Sequence, residues 1–368
     1  MATLTLLLLS GGGHTGSNVM GALASRRTGL HLVTTSDRPD EPALFRFDAA
    51  YIAPRLADDV AGFERRVLQI MERENPALVI PCRDDDVQWL ADLGERRPDL
   101  AGKFLCGGRK AAEIANDKWL SHEFCREHAL PFAPTLLCNS AADGAEFVAQ
   151  HGLPLVAKPR RGVASAGVVI LTSREQVARA MKRPDYILQR YLGEPGPVHE
   201  YLKKVKDEGI PLFHSFQGAA RSVLALIRPD ASIDYVNCIE IRWTGRAARS
   251  KSVDDDASAR EIGARCAAAF AAAGWRGPLN IQCQSAPDGT LMIHEFNARF
   301  PGGMVARLNL GYDEVGAAIR AFTGHDIGSP TPGMETPSEV LESITPRAAD
   351  GRHVRTLSQF GEWSREPK

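Results

Sequence analysis

The chain has 368 residues, 44% of them hydrophobic and 24% charged, and its formal net charge is −1. This length exceeds what one hydrophobic core usually serves, so we expect two or three soluble domains. The balanced charge offers no basic face for nucleic acid and no charged tail for a membrane, so we expect neither as a partner. The 7 cysteines include no C-x-x-C pair, which disfavours a disulfide framework or a zinc site and favours a cytoplasmic protein.

The first third of the chain alternates apolar runs with amphipathic segments. The run TLTLLLL at 3–9 lacks preceding basic residues, so we expect a first strand and not a signal peptide. No apolar run reaches the roughly 20 residues that span a bilayer. Strands and helices then alternate to about residue 107, which predicts an α/β domain with a doubly wound parallel sheet.

A glycine-rich turn, SGGGHTGSNV, follows the first predicted strand. Gly11, Gly13 and Gly16 match G-x-G-x-x-G, and Asp37 ends the next strand, which is the context of a dinucleotide site. An NAD-binding oxidoreductase or epimerase is therefore one alternative. The turn, with His14 inside it, could instead anchor a substrate anion at a helix N-terminus, or be a tight turn without a ligand.

Two lysines stand out in the middle of the chain. Lys118 follows Asp117 at a predicted helix start, and taken alone it is best explained as a solvated first-turn residue behind an N-cap. Lys158 ends the predicted strand LPLVAKP, just before the small-residue stretch RRGVASAG. The backbone amides of that stretch could cover phosphates, although an ordinary hairpin turn explains it equally well.

The strongest chemical pattern is LNIQCQSAPDGTLMIHEFNARF. Its Asp-Gly dipeptide predicts a two-residue hairpin turn that places Gln282 opposite Glu295, whereas a loop of odd length would shift the pairing by one. Alternation then puts Glu295, Asn297 and Arg299 on one face. One carboxylate and two amides suit Mg²⁺ that is shared with phosphates, and arginine suits a phosphoryl group. The alternative is a solvated hairpin face, but lysine or threonine would be expected there.

The succession NDKW, LVAKPRRGVASAGV, LQRYLG, GPLNIQ and HEFNARFPGG resembles the ATP-grasp superfamily, most closely carbamoyl phosphate synthetase large chains and related carboxylate-amine ligases. The resemblance covers roughly residues 3 to 345. It implies an α/β and α+β chain in which a doubly wound parallel sheet precedes an ATP-grasp fold of two α+β subdomains. The implied parts are a Rossmann-like domain at 1–108, a central lid subdomain at 109–192, a C-terminal subdomain at 193–346 and an extension at 347–368.

The resemblance also implies roles for individual residues. The implied ATP-binding residues are Lys118, Lys158, Ser165, Gly167, Gln189, Arg190, Tyr191, Leu192 and Glu295. The implied magnesium ligands are Gln282, Glu295 and Asn297, the implied catalytic residues are Arg299 and Lys158, and the implied substrate contacts are Gly13, His14 and Arg307. Arg190 departs from the family, because relatives often have a glutamate at this hinge.

By this resemblance the chain is an ATP-dependent ligase that uses Mg²⁺, with Mn²⁺ as a substitute. It would join a small carboxylate to an amine, amino acids among them, through an acyl phosphate, releasing ADP and phosphate. Activation of bicarbonate, as in carbamoyl phosphate synthesis or carboxylation, is a further alternative. The insertion at 194–218 is interpreted as a surface helix in preference to a substrate-selecting or dimer-forming element, and the sequence is compatible with a homodimer.

Overall fold

A computed structural model describes residues 3–41, 43–162, 165–209, 219–243, 249–330, 339–342 and 349–365. These residues form a mainly parallel sheet and two antiparallel sheets. No helix within the described ranges is long and apolar enough to cross a bilayer. The expected mixture of α/β and α+β architecture is confirmed.

The N-terminal sheet forms around the leucine-rich first strand, which is almost wholly buried. Its strands are β1 (Leu4–Leu9), β2 (Leu30–Ser36), β3 (Ala49–Ile52) and β4 (Leu78–Pro81), in the parallel order β3-β2-β1-β4. Its helices are α1 (His14–Ala22), α2 (Val60–Glu74), α3 (Asp84–Arg96) and α4 (Pro98–Ala101), with 3₁₀ turns at Ala24–Arg26 and Leu44–Arg46. The last strand of the alternating pattern, expected in the stretch KFLCGG at 103–108, forms only an isolated bridge between Val79 and Phe104.

Two helices and a small antiparallel sheet follow. They comprise α5 (Arg109–Asn116), α6 (Lys118–Glu127), β5 (Thr135–Leu137), α7 (Ala141–His151), β6 (Leu155–Pro159), β7 (Val169–Leu171), α8 (Arg174–Ala180) and β8 (Tyr186–Arg190). The strand order is β5-β8-β6-β7. This sheet and its two helices enclose a core of their own, which includes Phe147, Leu155, Val177 and Leu188.

The largest sheet has the order β13-β12-β9-β10-β11-β14. Its part of the chain comprises α9 (Pro195–Glu208), β9 (Ala220–Ile227), β10 (Ile233–Trp243), β11 (Arg249–Val253), α10 (Ala257–Ala272), β12 (Gly277–Ser285), β13 (Leu291–Asn297), α11 (Met304–Asn309), α12 (Glu314–Thr323) and β14 (Glu339–Glu342). Helix α9 accounts for most of the insertion at 194–218, of which residues 210–218 lie outside the described ranges.

Two hydrophobic clusters hold the large sheet in place. On one face, α5, α6 and α10 pack through residues that include Ala112, Phe124 and Phe270. On the other face, Leu224 shares a core with Leu6 of the N-terminal sheet. The helices at 109–127 therefore pack with the large sheet and not within the small one.

The C-terminal segment returns to the first sheet. Helix α13 (Gly351–Phe360) leads into β15 (Glu362–Ser364), which pairs antiparallel with β3. Trp363 packs in a small cluster with Leu44, Ala50 and Leu357. The described part of the extension at 347–368 is thus an element of the N-terminal sheet.

Candidate active site

The hairpin β12–β13 does not use the predicted two-residue turn. The Ala286 backbone N–H donates to the Thr290 carbonyl over 2.9 Å, which leaves a three-residue loop at 287–289. A loop of odd length shifts the pairing by one, and Cys283 accordingly lies opposite Ile293.

A β-bulge at His294 then restores the expected pairing. Beyond it Gln282 lies opposite Glu295, as predicted, and Asn280 lies opposite Asn297. A bulge inserts one extra residue into one strand and so cancels the one-residue shift of the loop. The pairing of Gln282 with Glu295 is therefore confirmed, although its local cause differs from the one expected.

Lys118, Lys158 and Glu295 meet although they are far apart in the sequence. Lys118 Nζ lies 3.3 Å from Glu295 Oε1 and 3.4 Å from the Gly162 carbonyl oxygen. Lys158 Nζ donates to the His294 carbonyl oxygen over 3.1 Å, which links the small sheet to the bulge. Both lysines are less than a tenth exposed, so the interpretation of Lys118 as a solvated first-turn residue is wrong.

Burial and charge shift the pKa values of this group in different directions. Burial lowers the pKa of Lys158 to about 8, although the charge of Glu295 opposes the shift. Burial would raise the pKa of Glu295, but the ammonium groups of Lys118 and Lys158 outweigh it and hold that pKa below its usual value. Burial lowers the pKa of His294 to about 4, which leaves its imidazole neutral near pH 7.

A row of hydrogen-bonded amides continues the site along the sheet. Asn297 Oδ1 accepts hydrogen bonds from Gln282 Nε2 at 2.8 Å and from Asn280 Nδ2 at 3.2 Å. The Ser222 hydroxyl of β9 donates to Asn280 Oδ1 over 2.6 Å. These bonds fix the amide planes of Gln282 and Asn297 beside Glu295, which keeps the three predicted magnesium ligands together.

Arg299 follows the hairpin and reaches the N-terminal domain. Its Nη2 donates to Asp84 Oδ2 over 2.8 Å, and its Nη1 donates to the Phe300 carbonyl. Its Nε is buried and has no hydrogen-bond partner among the described residues. A buried unpaired donor is costly, so this guanidinium retains capacity for an anion.

The loop after Lys158 has two residues in the left-handed region of backbone conformation. Ser165 has a φ of 58° and Gly167 a φ of 75°. Val163 and Ala164, within the same small-residue stretch, lie outside the described residues. The loop begins beside Lys118 through the Gly162 carbonyl, so it borders the lysine pair.

The segment from Gln189 to Leu192 joins the small sheet to the large one. Gln189 is buried, and its amide donates to the Thr135 hydroxyl over 3.0 Å. Leu192 is buried with Ala286 of the hairpin loop. Arg190, the residue that departs from the pattern of the family that the sequence resembles, has its guanidinium 3.9 Å from the exposed carboxylate of Asp288.

A cavity of about 490 Å³ lies between the N-terminal domain and the face of the large sheet. The residues on its walls come from the glycine-rich turn, the start of α3, the sheet and the segment after the hairpin; they include Gly13, His14, Asp84, Arg221, Ser222, Ile239, Ile241, Lys251, Asn280, Gln282, Asn297, Arg299, Gly302, Gly303 and Arg307. Gln282, Asn297 and Arg299 therefore share one space with the predicted substrate residues Gly13 and His14, whereas Glu295 is not among the described residues that line it.

The glycine-rich turn is tight for a steric reason. A Cβ on Gly16 would lie 2.1 Å from the Gly11 carbonyl oxygen, so the first turn of α1 requires glycine. Gly13 is the N-cap of α1 and provides no side-chain cap. Asp37, the residue expected to hold a ribose in the dinucleotide alternative, pairs with Arg83 at 3.0 Å.

Arg307 is held in the protein core by an ion pair and by hydrogen bonds to the backbone. It is fully buried, pairs with Glu314 at 2.6 Å and donates to the carbonyl oxygens of Ser222 and Asn237. With both bonds to Glu314 counted, four of the five N–H donors of its guanidinium are used, and the side chain also borders the cavity. Its role as a substrate contact stays a prediction.

Asp84 and Lys251 are among the cavity residues that the sequence analysis did not identify. Asp84 is the first of three consecutive aspartates at the start of α3, and that run was a visible signal. Lys251 lies on β11, where it is only 3% exposed. Nothing in the short segment RSKSV marks the lysine as buried, because its neighbours on the chain are polar.

Comparison with known proteins agrees with this geometry. No protein-family model matches the chain. A D-alanine–D-alanine ligase of Paracidovorax citrulli is 28% identical over 131 residues, which cover 35% of this chain and 37% of the ligase. The similarity thus spans little more than a third of this curated relative.

Solved structures match over more of the chain. Biotin carboxylase of Campylobacter jejuni superimposes with a TM-score of 0.64 at 12% identity, covering 87% of this chain and 71% of the carboxylase. N5-carboxyaminoimidazole synthetase of Staphylococcus aureus gives a TM-score of 0.63 at 14% identity, covering 98% and 86%. At such low identity these similarities show the fold. Together with the partial match to the ligase, the shared fold agrees with the resemblance to the ATP-grasp superfamily that the sequence motifs carry.

Proposed function

We propose that the chain is an ATP-dependent ligase that joins a carboxylate to an amine through an acyl phosphate. The observation that carries the proposal is the convergence of Lys118, Lys158 and Glu295 next to Gln282, which lines a cavity together with Arg299. Positive charge for phosphates, oxygen ligands for a cation and space for an acceptor are thus adjacent. The D-alanine–D-alanine ligase relative supports the same reaction class.

The nucleotide would lie between the small and large sheets. Lys118 and Lys158 would bind its phosphates, and the loop that contains Ser165 and Gly167 would cover them. The backbone at 189–192 would hold the adenine, with Gln189 fixed by Thr135. Glu295 neutralises only one of the two ammonium charges, so the group keeps a net positive charge that phosphates can neutralise.

The donor set fits magnesium. The described residues contain no group of three or more histidine, cysteine, aspartate or glutamate side chains arranged for a metal. Mg²⁺ commonly uses one or two carboxylates together with water and substrate phosphates, and Mn²⁺ accepts the same ligands. Glu295 would supply the carboxylate and Gln282 an amide oxygen, and Asn297 Oδ1 would join them by exchanging one of the two hydrogen bonds that it accepts. When bound, the ion would neutralise negative charge that develops on the phosphates.

In the proposed reaction an oxygen of the acid attacks the γ-phosphorus of ATP, and the bond between that phosphorus and the β–γ bridging oxygen breaks. The products are an acyl phosphate and ADP. The amine nitrogen then attacks the acyl carbon, phosphate leaves, and the nitrogen loses a proton. Arg299 would stabilise the transferred group, because its Nε is unpaired among the described residues and the bond of its Nη2 to Asp84 orients the guanidinium.

An acyl phosphate must be shielded from water. The small sheet β5–β8 has its own core and carries Lys158 and the loop after it, so it can close over the nucleotide as a unit. The helices at 109–127 pack with the large sheet. We therefore place the lid at 135–192 within the wider 109–192 subdomain.

Trapping with hydroxylamine tests the proposal without knowledge of the amine. The purified protein is incubated with ATP, Mg²⁺, hydroxylamine and a panel of carboxylic acids, with bicarbonate as a separate member. An acyl phosphate yields a hydroxamate and phosphate in equal amounts. We expect hydroxamate with at least one organic acid, and a loss of at least about a hundredfold in Glu295→Gln.

The exposed residue Glu362 provides the matched control, and Glu362→Gln should retain the activity. Phosphate release without hydroxamate, or activity that survives Glu295→Gln, would contradict acyl phosphate chemistry at this site. Hydroxamate cannot form from activated bicarbonate in the same way, so phosphate release with bicarbonate alone would favour that alternative.

A further inference from the structure

We propose that the ion pair between Arg160 and Asp117 is a clamp. It sets the spacing of Lys118 and Lys158, so that both ammonium groups meet the phosphates of one nucleotide. Arg160 and Asp117 are positioning residues and do not touch the nucleotide themselves. This inference rests on the proposed function, because it takes the phosphates to lie at the two lysines.

Each partner of the clamp lies next to one of the lysines in the chain. Asp117 directly precedes Lys118, and Arg160 follows Lys158 by two residues. The clamp also joins two parts of the fold. Asp117 caps α6, which packs with the large sheet, whereas Arg160 follows the end of β6 in the small sheet. The bond between them therefore fixes one lysine-bearing element relative to the other.

The ion pair consists of two parallel hydrogen bonds. Arg160 Nε donates to Asp117 Oδ1 over 3.1 Å, and its Nη2 donates to Asp117 Oδ2 over 2.7 Å. Such a pair fixes the orientation of both planar groups, which a lysine, as a point charge, cannot do. The Asp117 side chain is only 2% exposed, so solvent screens this pair less than one on the open surface.

The carboxylate of the clamp is itself held by helix α6. Asp117 Oδ1 accepts hydrogen bonds from the backbone N–H groups of Trp119 at 2.9 Å and Leu120 at 3.4 Å. These bonds are those of an N-cap, which satisfies the free N–H groups at the start of a helix. The start of α6 thus sets the position of the carboxylate, and the carboxylate sets the position of Arg160.

Backbone bonds attach the same loop to Lys118. The Lys118 backbone N–H donates to the Arg160 carbonyl over 3.0 Å, and Lys118 Nζ lies 3.4 Å from the Gly162 carbonyl oxygen. The Arg160 N–H donates in turn to the Asp185 carbonyl over 2.8 Å, next to β8 of the small sheet. A shift of the loop at 160–162 would therefore also move the ammonium group of Lys118.

The two lysines need such a restraint because their charges repel each other. Glu295 neutralises only one of the two ammonium groups. Burial lowers the pKa of Lys158 to about 8, and the charge of Lys118 contributes to that shift. A clamp that holds both backbones in place before the nucleotide arrives reduces the ordering that binding requires, and so increases the affinity.

The neighbouring Arg161 provides a matched control. Its Nε lies 3.5 Å from Asp117 Oδ2, but its side chain is 59% exposed and pairs with Glu113 at 3.3 Å. Exposed ion pairs contribute little. A substitution of Arg161 removes the same charge one position further along the loop and leaves the two parallel bonds of the clamp intact.

The test compares two ligands by titration calorimetry. One is a non-hydrolysable ATP analogue with Mg²⁺, and the other is adenosine, which has no phosphates for the lysines to bind. We expect Arg160→Met to weaken binding of the analogue at least about tenfold and to change the affinity for adenosine less than about threefold. Arg161→Met should keep both affinities within about threefold of the wild type.

Two conservative variants distinguish positioning from direct contact with phosphate, and they report even if Arg160→Met does not fold. Asp117→Asn keeps the helix cap but removes the charge that orients Arg160, so it should weaken binding of the analogue. Its combination with Arg160→Met should be no weaker than the weaker single variant, because both changes break one interaction. Arg160→Lys keeps the charge without the two parallel bonds and should recover little of the affinity.

The results separate this inference from the proposed function. A wild-type protein that binds the analogue but forms no hydroxamate contradicts the ligase function, and the binding of the variants still decides the inference. Wild-type affinity in Arg160→Met, in Asp117→Asn or in Arg160→Lys would overturn the clamp, and so would equal losses for the analogue and adenosine. A wild-type protein without affinity for the analogue would overturn it as well, because there would be no phosphates to position.

Discussion

Binding of ATP should weaken as the pH rises through about 8, because Lys158 loses its charge in that range. The pKa of this buried ammonium is about 8. About 90% of it is therefore protonated at about pH 7 and about 10% at about pH 9. If only the protonated form binds the phosphates, the affinity for a non-hydrolysable ATP analogue with Mg²⁺ should fall about tenfold across this interval.

Two methionine variants test the assignment by titration calorimetry at several pH values. Lys158→Met removes the titrating group, so its affinity should be low and nearly independent of pH. Lys118→Met keeps Lys158 and should bind weakly while retaining the fall. The reasoning would be refuted by a wild-type affinity that is flat from pH 7 to 9, or by an equal fall in Lys158→Met.

Three further outcomes are expected. Glu314→Ala leaves the fully buried guanidinium of Arg307 without its carboxylate partner and should lower the free energy of unfolding by about 3 to 5 kcal/mol. A loss of less than about 1 kcal/mol in a denaturant titration would mean that the ion pair is not needed for stability. Gly16→Ala forces its Cβ against the Gly11 carbonyl oxygen and should reduce thermal stability and soluble yield, whereas wild-type behaviour would show that α1 can shift. ATP with Mg²⁺ should slow tryptic cleavage after Arg161 if the small sheet closes, and an unchanged digestion rate would argue against a lid.

The Asp-Gly dipeptide predicted the pairing of Gln282 with Glu295, although the hairpin does not use the two-residue turn on which that prediction depended. It could not predict how that pairing arises, because the odd loop and the bulge at His294 cancel each other and leave the polar face unchanged. Local pattern also gave the alternating strands and helices of the N-terminal domain. Local pattern did not predict the burial or the partners of side chains whose contacts come from residues distant in the sequence.

Lys118 illustrates that limit. The residues next to Lys118 in the sequence are typical of a solvated first helical turn. Lys118 is buried in an ion pair because the fold brings Glu295, which is distant in the sequence, next to it. The fold gives Arg307 partners that the sequence did not predict, Glu314 and two backbone carbonyls, and its contact with a substrate stays a prediction. Lys251 could not be singled out, because its burial depends on β10 and β14 on either side.

The pairing of β15 with β3 has a consequence for synthesis on the ribosome. Residues 362–364 cover an edge that residues 49–51 leave open, so about 310 amino acids must be added before that edge is paired. Until then the nascent N-terminal domain exposes unpaired backbone groups and the apolar contacts that Trp363 will later cover. Chaperone dependence and aggregation during translation should therefore be most sensitive to changes in the last strand.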